Sequence, residues 1–116
     1  MIDSYGGTSV DEVAKKRALQ FRIFEVLDAF GWTANKQLGR ITNGFSKDDS
    51  DDLKEFLRRI KKLQIVKSEG GWLSIQELKA LERMTGRIYK NAFEDERKAM
   101  GIQRNTFSKL IEEFSK

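Results

Sequence analysis

The chain has no cysteine, no histidine and no proline among its 116 residues. Without cysteine there is neither a disulfide nor a thiolate metal site, and without histidine there is no imidazole ligand and no general base of that type. No apolar run approaches the roughly 20 residues needed to span a bilayer. The N-terminal MIDSYGGTSVDE lacks both the basic and the apolar stretch of a secretory signal, so the expected compartment is the cytoplasm, with no membrane partner. Phosphate-loop, nucleophile-elbow and zinc-protease motifs (G-x-x-x-x-G-K-[ST], G-x-S-x-G and H-E-x-x-H) are all missing. An enzyme would have to work with carboxylates, amines and hydroxyls alone, so the expectation is no catalytic residue, no cofactor and no metal. The acidic run from Asp48 to Glu55 fails the calcium-loop pattern, because it has no glycine at the sixth position and no alternation of ligands with spacers.

What remains is a moderately basic chain. It carries 22 lysines and arginines against 18 aspartates and glutamates, a net charge of +4, and its pI is about 9.4. This length normally makes one domain around one core.

Apolar spacing gives a mainly helical reading. Ser9 and Glu12 form an S-x-x-E capping box and Gly31 offers a stop, predicting a helix over 10–30 after a loose leader at 1–8. That helix carries two apolar stripes. Leu19, Ile23, Val26, Leu27 and Phe30 form one; Val10, Val13, Ala14, Phe21 and Phe24 form the other, nearly opposite. The second stripe either packs under C-terminal helices or joins two copies of the chain into a homodimer.

Thr33 is placed to cap a short helix with Leu38 and Ile41 that ends at Gly44, and Phe45 and Ser46 make a turn. A helix starting near Asp48 or Asp51 follows, with Leu53, Phe56, Leu57, Ile60 and Leu63 on one face and Lys54, Arg58 and Lys62 on others. Ile65, Val66 and Lys67, then Glu69-Gly70-Gly71, then Trp72 to Ile75 read as a β-hairpin. Trp72 is expected to support that hairpin. Ser74 and Glu77 repeat the capping box before Leu78, Leu81 and Met84, with Gly86 as the stop. Asn91 and Glu94 offer a third box. Residues 92–114 read as a helix-turn-helix with its turn at Gly101, a pattern that a plain helical hairpin shares.

The segments TANKQLGRITNG, DLKEFLRRIKKLQIVKSEGGWLSI and QELKALERMTG resemble, in order, the first helix, the recognition helix with its wing, and the following helix of the winged-helix DNA-binding domain of the cyclic-AMP receptor protein family. The likeness covers residues 33–86, about half the chain. It implies a regulator that docks its third helix in the major groove; that family's nucleotide-sensing domain has no counterpart here. The segment between Gly44 and Leu53 is longer than the family's turn and holds Asp48, Asp49, Asp51 and Asp52. These favour the helix dipole but repel phosphate. The C-terminal GIQRNTFSKL is similar to the recognition-helix openings of many bacterial and phage regulators.

The expected fold is therefore mainly α with a small β-hairpin: a winged helix-turn-helix over 9–86, with a long first helix, and a further helix-turn-helix unit over 87–116 packed on it. The expected function is a small sequence-specific DNA-binding protein acting as a homodimer through the helix at 10–30, either a transcriptional regulator or a phage or plasmid replication or partition factor. Gln103, Arg104, Asn105, Thr106, Ser108 and Lys109 are expected to reach base edges and phosphates of double-stranded DNA, and Lys54, Arg58, Lys62 and Lys67 to touch the backbone. The alternative is a protein-interaction module of winged-helix shape that does not bind DNA.

Overall fold

In the structure, a computed structural model, residues 2–41 and 47–116 are described, with side chains over 11–40 and 50–116. The side chain of Ser9, the stop at Gly44, the turn at Phe45 and Ser46, and the side chains of Asp48 and Asp49 lie outside what is described; the backbone at Ser9 is already helical, so the helix expected over 10–30 after a loose leader at 1–8 begins instead at Ile2. Four helices follow one another: α1 (Ile2–Ile41), α2 (Lys47–Ser68), α3 (Ile75–Lys90) and α4 (Glu94–Phe114).

No strand occurs among the described residues, so the expected β-hairpin wing is absent. Its first half is the last turn of α2, where Val66 follows Leu63 at the helical spacing of the α2 core face. Gly70, with φ 72°, closes the helix; its N–H donates to Lys67 O at 3.0 Å and that of Gly71 to Val66 O at 2.9 Å. The second half is a short extended linker. Its Leu73 N–H donates to the Gln20 side chain of α1 at 2.9 Å, where a hairpin would have offered a partner strand. Ser74 then caps α3 as the sequence predicts, accepting from Glu77 N.

The C-terminal helix-turn-helix is also absent. α4 is one continuous helix through Gly101. α1 likewise runs through Gly31 and absorbs the short helix expected at Thr33, and α3 continues past Gly86 to Lys90, where Asn91 is its C-cap and not the opening of a new helix.

Contacts between helices fix the topology. Phe30 of α1 meets Phe56 of α2 edge to face at 5.1 Å, and Lys67 reaches back to the Phe24 ring, so α2 runs antiparallel to α1. Arg87 of α3 pairs with Asp52 of α2 at 3.7 Å, and Glu77 lies beside Arg58 and Lys62. Ser108 of α4 donates to Glu82 of α3 at 2.6 Å. Arg40 near the end of α1 pairs with Glu96 near the start of α4, while Lys16 lies over the Phe114 ring. Each helix is thus antiparallel to its two neighbours in a ring of four. At 1.5 Å per residue α1 is about 60 Å long, matching the 65 Å extent of the molecule. Since Lys16 is level with the end of α4, roughly 20 Å of α1 extends past it.

The core is the shared interior, with Ile23, Leu27, Phe30, Phe56, Leu78, Leu81, Met100 and Phe107 all buried. Two buried glutamines of α1 serve the connections. Gln20 accepts from Leu73 N and donates to Gly71 O; Gln37 accepts from Phe93 N, the N-cap of α4, and donates to Asn91 O. No helix among the described residues is long and apolar enough to cross a membrane.

Candidate nucleic-acid interface

The positive charge is concentrated. From Lys54 to Lys90 there are ten lysines and arginines against four acids, whereas the whole chain has a net charge of only +4. Helical spacing sorts these cations to the outside. With Leu53, Phe56, Ile60 and Leu63 of α2 turned into the core, Lys54, Arg58, Lys61 and Lys62 are left on its solvent ridge, and all four are exposed. On α3 the buried Leu78, Leu81, Met84 and Ile88 leave Lys79, Arg83, Arg87 and Lys90 in one exposed row at spacings of four, four and three.

These rows occupy adjacent antiparallel helices, and Arg87 crosses the seam between them to reach Asp52 of α2. There Arg58, Arg59 and Lys62 line a cleft of about 170 Å³ floored by Leu63 and Leu81, with Glu77 on its α3 side. Three acids temper the charge of the seam, Glu77 on the cleft and two that pair directly. Asp52 takes Arg87, and Glu55 takes Arg58 Nε and Arg59 Nε at 2.9 Å each. The hydrogen bonds from Arg58 and then Arg59 hold the Glu55 carboxyl down to about 2, and Glu55 in turn raises the Arg58 guanidinium. One carboxylate therefore splints two arginines on successive residues. The face as a whole is two helices wide, with rows about 12 Å and 16 Å long, enough to meet several phosphates of one duplex.

The residues expected at the C-terminus fare differently. Gln103 is half-buried and its amide donates to Thr33 Oγ1 at 3.2 Å. Ser108 is held by Glu82. Arg104 is folded against Gly86, with its Nε buried and lacking a hydrogen-bond partner. Asn105, Thr106 and Lys109 are exposed, although the Thr106 hydroxyl donates back to Ile102 O. With no turn at Gly101, this segment is the middle of a helix whose inner half is occupied by α1 and α3, not the free end of a recognition helix. Of the expected backbone contacts, Lys54, Arg58 and Lys62 lie on the basic face. Lys67 does not; its ammonium lies over the Phe21 and Phe24 rings of α1.

Sequence reading missed Arg59 and the whole α3 row. The signal was present in the four-residue spacing of Lys79, Arg83 and Arg87, on the side of α3 away from Leu78, Leu81 and Met84. Among the described residues no group of three or more acidic side chains is placed to hold a metal ion. No family model, no curated protein and no solved structure matches the chain.

Proposed function

We propose that the protein is a small DNA-binding protein that engages the phosphate backbone of a duplex through the α2–α3 face. The observation that carries this is the pair of exposed cationic rows, Lys54, Arg58, Lys61 and Lys62 beside Lys79, Arg83, Arg87 and Lys90. Phosphate contacts dominate affinity and need no base-reading helix, so the loss of both helix-turn-helix units leaves the reading intact while removing its sequence-reading element. The four aspartates at the start of α2 precede the basic row and bias the docked strand toward its C-terminal half. A regulator or a replication or partition factor of this kind reads charge and shape first.

Electrophoretic mobility shift with a duplex at rising salt tests it. Contact with about six phosphates makes affinity fall roughly 1,000-fold between 50 and 200 mM salt. Absence of any shift at about 50 mM contradicts the reading and favours a protein-interaction module instead.

A homodimer through α1 belongs to the same reading. Val13 and Phe21 are 51% and 55% exposed, although Phe24 from the same expected stripe is buried inside the bundle. Light scattering on the wild type and on Phe21→Glu tests this: a dimer that the substitution converts to monomer supports it, and a wild-type monomer at all concentrations contradicts it.

A further inference from the structure

The ridge of α2 has a second flank, toward α1, and its chemistry differs from that of the α3 side. Trp32 is 73% exposed, the most exposed large apolar side chain among the described residues. It projects into a groove of about 440 Å³ between α1 and α2, within the size range of small-ligand clefts. Leu57 and Ile60 form the floor. Lys61, a member of the basic row, stands on the same groove, as does Asn35 one turn along from Trp32. Gly31 keeps the floor open: a Cβ there would lie 3.3 Å from Ile60 Cδ1.

A single aromatic ring here shares its groove with polar groups, the Asp28 carboxylate (accepting from Gln64 at 2.8 Å), Asn35 and Lys61. With the Asp28 carboxylate already engaged by Gln64, the ring, the Asn35 amide and the Lys61 ammonium match one base and its phosphate. We propose that Trp32 is a stacking platform for a single unpaired nucleobase, with Lys61 on the adjoining phosphate and the Asn35 amide at the base edge. The inference rests on the nucleic-acid reading of the α2–α3 face and extends it: a strand whose backbone lies along α2 delivers an unpaired base over the ridge, so the preferred ligand is a duplex carrying a single-stranded tail. A base inside a duplex cannot present its face to Trp32.

The test compares a blunt DNA duplex with the same duplex bearing a short thymidine tail. Wild-type protein should bind the tailed form fivefold or more tightly, in keeping with stacking on an aromatic side chain, and Trp32→Ala should bind both forms alike, with blunt-duplex affinity unchanged. In Trp72→Phe, where Trp32 is the remaining tryptophan, the tailed duplex should quench emission and the blunt one should not. Equal wild-type affinity for the two duplexes overturns the proposal, as does a tail preference that survives Trp32→Ala. Emission that changes with protein concentration alone, and still does so when Phe21→Glu is added, assigns the groove to a second copy of the chain and also overturns it. Failure of the wild type to bind either duplex removes the α2–α3 reading itself, a result distinct from binding without tail preference.

Discussion

The Arg104 guanidinium lies across Gly86: a Cβ at position 86 would meet its Nη2 at 2.9 Å. One turn of α3 further on, Tyr89 covers Gly101 in the same way, its ring 3.3 Å from where a Cβ would be. α3 and α4 thus exchange side chains over each other's glycines. Because the atom facing Gly86 is the far end of a flexible side chain, Gly86→Ala should gain helix propensity and displace Arg104 at little cost. The expected result is stabilisation by about 0.5–1 kcal/mol in chemical denaturation. Gly101→Ala meets a ring held in the interface and should gain less than Gly86→Ala.

These glycines also explain what the sequence could and could not disclose. Core residues were legible, because Ile23, Leu27, Phe30, Leu53, Phe56, Ile60, Leu63, Leu78, Leu81 and Met84 follow the helical period and are buried. Boundaries were not. Gly31, Gly86 and Gly101 read as stops or turns, yet each is a mid-helix point of close approach, a tertiary role that leaves the same local mark as a C-cap. Gly70 is a true turn, with φ 72°. The hairpin was misread because Ile65 and Val66 have strand propensity, while the linker's Leu73 N–H is satisfied by Gln20, 53 residues earlier. For the site, Lys54, Arg58 and Lys62 were visible as a helix flank; that α3 lies beside them with its own row is a fact of packing.

Gln20 is 5% exposed and bonds both Gly71 O and Leu73 N. Gln20→Ala leaves a buried N–H without its partner and should destabilise by roughly 1–3 kcal/mol. Its neighbour Arg17 also donates to Gly70 O and Gly71 O while stacking on Trp72 at 3.7 Å, but it is exposed, so Arg17→Ala should cost less. Equal losses in urea denaturation would contradict this division of roles.

The Glu55 carboxyl is held at about 2, below its ordinary 4.5. A carboxyl whose folded pKa is depressed lends its full stabilisation above the unfolded value and loses it as pH falls through the folded one. Stability should therefore decline between about pH 5 and pH 2, and Glu55→Gln should flatten part of that decline. The pair is solvent-exposed, so its contribution is small; the direct readout is the Glu55 carboxyl shift in an NMR titration, with a midpoint near 2 expected and one near 4.5 contradicting the splint.

Arg40 donates to the buried Glu96 carboxylate at 2.6 Å and lies over the Phe93 ring at 4.1 Å. Arg40→Ala should lower stability by about 1.5–3 kcal/mol through loss of that charged hydrogen bond. Arg40→Lys should recover only part of it, since a point charge replaces a planar group. A thermal shift no larger than that of an exposed control such as Lys36→Ala contradicts the assignment.

The most direct test of the central claim is to move the charge from one face and not from another. Lys79→Glu with Arg83→Glu reverses half of the α3 row, and Lys98→Glu with Lys109→Glu makes the same change in charge on the exposed side of α4. With duplex affinity measured at about 50 mM salt, the account predicts that the α3 double variant loses binding by tenfold or more and shows a shallower salt dependence, while the α4 variant stays within a few-fold of wild type. Equal losses in the two variants, or a greater loss from α4, would contradict it.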